Sequence, residues 1–478
     1  MRESCGVMGI FAPGEDVARL TFFGLHSLQH RGQESAGIAT ANGDPEVQRF
    51  AEMGLVTQIF HEEVLSDLQG THAIGHTRYS TTGSSTHANM QPLIVSGPHG
   101  ELALAHNGNV VNADLLRSDL VDAGVEFQTG TDSEVLAQLL AHASGGTWEQ
   151  RFNYVMRRAS GAYSLTLLTA DALFGVRDPL GIRPLCLGRL GNGWVVASET
   201  CALDTLGAEF VREIEPGEVV RIDEAGVQSW TFEGERPAGP SLCLLEHIYF
   251  ARPDSMIQGE RLYPVRMRMG AQLAREHPAP GDVVIGIPDS ATAAAVGYAQ
   301  ESGIPYVEGL VKNRYVGRTF IQPDQRLRDR GVELKFNPLP ELLGGRRVVV
   351  VDDTIVRGTT TPRVVAMLRK AGASEVHMRI TSPPITHPCF YGVDMATRGE
   401  LIASHLEVEE IREHIGADSL GYLSLEGTVG ATGQQRDALC AACFSGSYPS
   451  DVPLQLDKFA LESGGSIDRH AVPLRAVH

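Results

Sequence analysis

Between residue 5 and about residue 235, apolar positions fall in short runs or alternate with polar ones, and Gly, Asp or Asn closes each run. "GAYSLTLLT", "GNGWVVAS" and "GEVVRID" are of this kind, and that pattern over such lengths predicts strands. A few helical segments lie between them, so this half reads as α+β with antiparallel sheets. The stretch 231–241, "TFEGERPAGPS", concentrates Gly, Pro and charge and marks a linker. Beyond it the rhythm becomes strand, loop, helix. "GDVVIGI" runs through "PDS" into "ATAAAVGYAQESG", and "RRVVVV" runs through "DDTIVRGTT" into "TPRVVAMLRKAG". That alternation predicts a parallel sheet flanked by helices. Thr361 is placed to cap the second of these helices, with Pro362 as its first residue and Gly372 just past its end. No internal repeat is visible, and residues 461–478 read as a tail.

Composition narrows the function. With 478 residues, 42% of them hydrophobic, the chain can build two cores. A formal charge of −18 argues against a nucleic-acid-binding surface. No apolar stretch is long enough to span a bilayer, and Met1–Ser4 is too short and polar to act as a signal peptide. Seven cysteines spread over this length do not suggest a disulfide framework, so reduced thiols and a cytoplasmic protein are expected.

Within "VVVVDDTIVRGTT" (348–360), four β-branched residues predict a strand buried on both faces. Ligands of open α/β sheets sit at the carboxyl ends of strands, where Asp352 and Asp353 fall. Thr354, Arg357, Gly358, Thr359 and Thr360 follow, supplying hydroxyls, a charge and free N–H groups at a helix start, which is a phosphate cradle by type. No Gly-Lys-Ser/Thr closes it, so it is not a Walker loop. Adjacent carboxylates beside such a nest suit ribose hydroxyls and Mg²⁺. Asp289 and Ser290 stand at a second strand end, where they can face pyrophosphate or metal. Lys312, Arg314 and Arg318 gather on the Gly-containing segment "KNRYVGRTFIQP", as a lid over a polyanion would require.

Cys5 precedes the apolar run "GVMGIFA". A thiol is a poor nucleophile until a base takes its proton. If Met1–Ser4 were removed, the α-amine of Cys5, with a pKa near ~8, would itself be that base. A small buried thiol on a first strand is the plainer alternative.

"CGVMGIFA", "LHSLQHRGQESAGIA", "GHTRYSTTG", "LAHNGNVVN" and "TGTDSEV", in that order, resemble class II glutamine amidotransferase domains. The 348–360 loop resembles the 5-phosphoribosyl-1-pyrophosphate (PRPP) loop of type I phosphoribosyltransferases. The two together, to about residue 450, are similar to the amidophosphoribosyltransferase family. That resemblance implies an αββα N-terminal-nucleophile sandwich followed by an α/β type I phosphoribosyltransferase domain with a parallel sheet. Its divisions would be a propeptide (1–4), a glutaminase domain (5–235), a phosphoribosyltransferase domain (242–460) and the tail. It also implies that Cys5 is the nucleophile, and that Asn107 and the Gly108 N–H form the oxyanion hole. Arg78 would clamp the glutamine carboxylate, Asp132 its ammonium, and Thr81 would add a minor contact. PRPP would meet Asp289, Ser290, Lys312, Arg314, Arg318 and the 352–360 loop, with Mg²⁺ on Ser290, Asp352 and Asp353. Ammonia from glutamine would then displace pyrophosphate from PRPP, the first committed step of purine synthesis. Family members are typically homotetramers inhibited by purine nucleotides.

Cys440 and Cys443 form a metal-type pair, to which Cys243 and Cys389 can be added. Spacing alone leaves zinc, an iron–sulfur cluster or redox activity open. The resemblance favours a [4Fe–4S] cluster on these four. Cys186 and Cys201 read as core thiols, and His26 and His30, four apart with no third ligand near, as structural. Glucosamine-6-phosphate synthase and asparagine synthetase use similar glutaminase domains, but the PRPP loop argues against both. A purine-sensing repressor would bring a basic DNA-binding module, and none is visible.

Overall fold

The computed structural model describes residues 5–79, 86–234, 239–313, 335–395, 397–452 and 461. In the first half, among the described residues, two antiparallel sheets lie face to face. The larger runs Glu209–Glu213, Cys186–Leu190, Gly193–Ala197, Gly6–Phe11, His72–Arg78, Ser35–Ala41 and Gln48–Met53. The smaller runs Gly226–Thr231, Glu218–Asp223, Leu173–Arg177, Gly161–Leu168, Gly100–Val110 and Leu93–Gly97. The three strands expected from "GAYSLTLLT", "GNGWVVAS" and "GEVVRID" are all present.

The packing makes four layers. Val7, Phe11, Ala39 and Ile74 of the larger sheet meet Ala103, Ala105, Leu168 and Leu173 of the smaller, forming a dry seam between them. The helix Val17–Ser27 covers the outer face of the larger sheet, closing a core that includes Met8, Ile10, Leu25 and Ile38. The helix Asp132–Ala141 covers the smaller sheet through Val135, Leu136, Leu139 and Leu140. Burial on both faces explains why many strands read as apolar runs. Cys186 and Cys201 are buried thiols of the outer core, as expected.

Among the described residues, the main sheet of the second half holds four parallel strands in the order Val283–Gly286, Arg347–Asp352, Glu375–Ile380 and Ser419–Tyr422. Val348 to Val351 are wholly buried, so helices cover both sheet faces. The helix Thr361–Lys370 is displaced by one residue from the expected caps: Thr360 is the N-cap and Pro362 occupies the second position. Proline is tolerated there because none of the first four helical N–H groups has a partner inside the helix. Gly372 lies just past the end with φ +96°. Between the halves the last strand of the first ends at Thr231, and the next strand among the described residues is Leu242–Cys243. Residues 235–238 of the expected linker fall outside the described residues.

Candidate active site

The Gly6–Phe11 strand delivers Cys5 to the middle of the larger sheet. Its antiparallel neighbour His72–Arg78 returns Arg78 and Tyr79 to the same end. Gly6 is required there, because a Cβ would stand 2.7 Å from Thr77 Oγ1. The Cys5 thiol donates to the Tyr79 carbonyl at 3.3 Å and lies 3.4 Å from the Tyr79 N–H. Burial pushes this thiol's pKa up, while the Tyr79 backbone and Arg78 pull against that. The resting sulfur is therefore a thiol, and its chemistry needs a base.

Arg78, Gly108 and Asp132 line one narrow pocket with Cys5, together with Tyr79, Gln91, His106, Thr131 and Ser133. Asp132 opens the helix Asp132–Ala141 and accepts the Val110 N–H at 3.0 Å. Gly108 has φ +151°, and a Cβ on it would lie 2.0 Å from the Ala162 carbonyl oxygen, so only glycine fits. Asn107 beside it is fully buried, and neither its Nδ2 nor its Oδ1 has a partner among the described residues. Buried amides are almost always paired. An orphan one adjoining Gly108, which lines the Cys5 pocket, has hydrogen-bonding capacity that no described group uses. Thr81 lies outside the described residues.

Sequence reasoning assigned no role to the groups that hold this pocket. Gln91 accepts from the His106 backbone at 2.7 Å and donates to Ser133 Oγ at 3.0 Å. His106 faces Ser133 through Nδ1 at 3.0 Å and the Ala162 carbonyl through Nε2 at 3.3 Å. Burial keeps its pKa low, so the neutral ring donates from Nε2 and accepts at Nδ1. Arg31 donates from Nε to the Cys5 carbonyl at 3.1 Å. Arg31 and Gln91 are both present in the chain as ordinary polar residues, and nothing in local spacing distinguishes them from surface ones. His30 pairs with Glu199 at 2.7 Å, a structural role.

At the second strand pair, Asp289 and Ser290 follow Val283–Gly286, and Asp352 and Asp353 end Arg347–Asp352. Ser290 Oγ donates to Asp353 at 2.6 Å and Thr354 Oγ1 donates to it at 3.1 Å. Lys312 is paired with Asp289. Arg357 pairs with Glu400 at 2.5 Å, and Gly358 takes φ +65°. Thr359 and Thr360 are exposed at the start of the following helix. Desolvation and the Asp353 charge hold Asp352 well above the usual carboxylate range. A divalent cation would offset the repulsion that raises Asp352. Arg314 and Arg318 lie outside the described residues.

The four remaining cysteines meet although up to 200 residues separate them. Cys243 and Cys440 pair in register across a short parallel ladder. The Cys443 carbonyl accepts from the Thr386 and His387 N–H groups, which brings Cys389 alongside. Burial raises the Cys443 thiol first, and Cys243, Cys389 and Cys440 each add to the rise. Arg183 faces Cys243 and Cys389, and its charge opposes the burial that raises Cys243 to about 11. Among the described residues, no three His, Cys, Asp or Glu side chains converge as on a single ion.

Comparison with known proteins follows the same division. A glutamine amidotransferase domain model matches residues 76–205 and a phosphoribosyl transferase domain model matches residues 259–381. An amidophosphoribosyltransferase of Synechococcus elongatus is 54% identical over 465 residues, covering 96% of this chain and 94% of that protein. One of Bacillus subtilis is 48% identical over 457 residues, with 95% of each covered. Two solved structures align at 48% identity. One, the allosteric regulatory enzyme of purine biosynthesis, has a TM-score of 0.87 and covers 93% of this chain and 96% of its own. The other, glutamine PRPP amidotransferase from B. subtilis complexed with ADP and GMP, has a TM-score of 0.86 and covers 93% and 97%.

Proposed function

Because the chain belongs to the amidophosphoribosyltransferase family, we propose that its two sites divide glutamine-dependent amidophosphoribosyl transfer between them. Its activity is that of the family: glutamine and PRPP yield 5-phosphoribosylamine, glutamate and pyrophosphate, within purine biosynthesis.

In the first site Arg78 takes the glutamine α-carboxylate with its planar fork, and Asp132 takes the ammonium. The amide carbon then faces Cys5. Removal of residues 1–4 frees the Cys5 α-amine, which accepts the thiol proton as sulfur attacks. Asn107 Nδ2 and the Gly108 N–H receive the oxyanion. As the tetrahedral adduct collapses, the Cys5 α-ammonium returns that proton to the leaving nitrogen, which departs as ammonia and leaves a thioester that water cleaves to glutamate. The observation that carries this reading is a thiol that burial keeps protonated, in one pocket with Arg78, Gly108 and Asp132, with the neighbouring Asn107 amide buried and unpartnered among the described residues.

In the second site Asp352, Asp353, Ser290 and the 354–360 loop hold PRPP, with Asp289, Lys312, Arg314 and Arg318 over its phosphates. Ammonia, passed internally from the first site, forms a bond to C1 as the bond to pyrophosphate breaks. The need here is in-line positioning and electrostatic support for a cationic centre. Mg²⁺ on Ser290, Asp352 and Asp353 would neutralise the pyrophosphate when bound. The raised Asp352 carboxyl, with Ser290 bonded to the adjacent Asp353, supports that placement.

Cys243, Cys389, Cys440 and Cys443 would hold a [4Fe–4S] cluster, which supplies structural cross-linking. A lone zinc draws its sulfurs to within about 4 Å of one another. Thiols that feel one another without converging suit a cluster with one iron per thiolate. The reading extends to a cytoplasmic homotetramer inhibited by purine nucleotides; the B. subtilis relative was solved with ADP and GMP bound. No helix among the described residues is long and apolar enough to cross a membrane.

Pyrophosphate release, measured with glutamine and then with ammonium at alkaline pH, tests the division. Cys5→Ala should fail with glutamine and work with ammonium, while Asp352→Ala/Asp353→Ala should fail with both. A folded Cys5→Ala protein that fails with both donors would overturn it.

A further inference from the structure

A buried ionic cluster joins the two halves directly behind Cys5. Arg31, from the first half, is 1% exposed and donates to the Cys5 carbonyl at 3.1 Å. Its guanidinium is gripped by two carboxylates. One is Glu199, also of the first half; the other is Glu246, which lies beyond the linker. Glu246 meets Arg31 at 2.7 and 3.2 Å and Arg183 at 3.2 Å, and is itself fully buried. Glu199 in turn accepts from Ser255 Oγ at 2.7 Å and the Arg252 N–H at 2.9 Å, both in the second half. Against desolvation, Glu246 and Glu199 together keep Arg31 charged.

We infer that Glu246 is a positioning residue for glutamine hydrolysis, acting through Arg31, so that the second half completes the first half's site. The inference rests on the assignment of Cys5 as the nucleophile. Once processed, Cys5 ends in a free amine, and its sulfur must leave the Tyr79 carbonyl to attack. The carbonyl bond to Arg31 is the polar anchor that persists through the reaction. A guanidinium holds one orientation only if its other N–H groups have fixed acceptors, and Glu246 supplies two of those contacts. With Glu246 neutral, Arg31 keeps its ion pair to Glu199 but loses the charged acceptor of its other N–H groups, and Arg183 loses its carboxylate partner, so the fork is held less firmly. Small displacements of a reacting group cost up to about 100-fold in rate.

The test uses the full-length protein with Glu246→Gln. Glutamine hydrolysis should lose about 10- to 100-fold in kcat, with the glutamine KM within about threefold because Arg78 and Asp132 are untouched. Pyrophosphate release with ammonium should stay within about threefold of the parent, which also shows that the variant is folded. Glu246→Asp, which keeps the charge, should recover part of the lost kcat; it replaces the Gln variant if that one does not fold. Three results would overturn the inference: an unchanged kcat, equal losses with glutamine and ammonium, or an intact mass showing residues 1–4 retained. Cys5→Ala serves as the control. If it still hydrolyses glutamine, the nucleophile assignment has failed. If it is inactive while Glu246→Gln is unaffected, only the role of Glu246 has.

Discussion

Replacing Asn107 by Leu should make the protein more stable and nearly useless as a glutaminase. The side chain is fully buried, with both amide atoms unpartnered among the described residues. Each unsatisfied buried polar group costs about 1–3 kcal/mol. Leucine has the same branched heavy-atom skeleton with bulkier ends, so the change removes both groups without opening a cavity. A net gain of about 1–3 kcal/mol in the first half follows if most of one group's penalty is recovered. In a domain of that size each kcal/mol shifts the unfolding midpoint by about 2–4 °C. Loss of an oxyanion donor costs about 10²–10³ in kcat, or roughly 2.7–4 kcal/mol of transition-state stabilisation. Calorimetry and a coupled glutamate assay read the two effects on one preparation, and ammonium-dependent pyrophosphate release should be untouched. A lowered midpoint would refute the claim that the amide is held at a cost, and a kcat within about tenfold of the parent would refute its role.

Gly108→Ala places a Cβ against the Ala162 carbonyl; glutamine hydrolysis should fall more than about 100-fold, with a lower unfolding midpoint. Asp352 has a folded pKa above its ordinary 3.8, so the stability it contributes is present below that value and is lost as pH rises through the raised one. Asp352→Asn should therefore raise the midpoint at pH 8 but not at pH 3.5, and Mg²⁺ should stabilise the parent more at pH 8; equal effects at both pH values would contradict this. Anaerobically purified protein should be brown and contain about four iron atoms and four sulfides per chain. Cys440→Ser should lose iron and stability together, and stoichiometric zinc without iron would remove the cluster.

Much of the fold was legible because burial leaves a local trace. Four consecutive valines cannot be exposed, so "VVVVDD" announced both a central strand and the acids at its end. The period-two runs of the first half announced paired sheets, whereas Gly108 was singled out only by resemblance, and the structure supplies the reason that no other residue fits there. The helix cap at Thr360 was misplaced by one residue because Thr360 and Thr361 are chemically alike; backbone geometry alone separates them.

The partners across the chain were not legible. Hydrophobic periodicity says that a face is covered, but not by what. Arg31 resembles any solvated arginine in "HRGQ" until Glu199, Glu246 and the Cys5 carbonyl surround it. The Asn109 side chain bonds the Phe390 carbonyl at 2.9 Å, and a Cβ on Gly392 would press within 2.8 Å of Gly108. The segment after Cys389 is thus packed on the Gly100–Val110 strand. The chain alone determined which residues can do chemistry and which surfaces must be hidden, since those follow from side-chain type and local spacing. Tertiary structure decided which distant groups meet. A buried charge or amide acquires its meaning from neighbours hundreds of residues away, and only close packing brings them within hydrogen-bonding range.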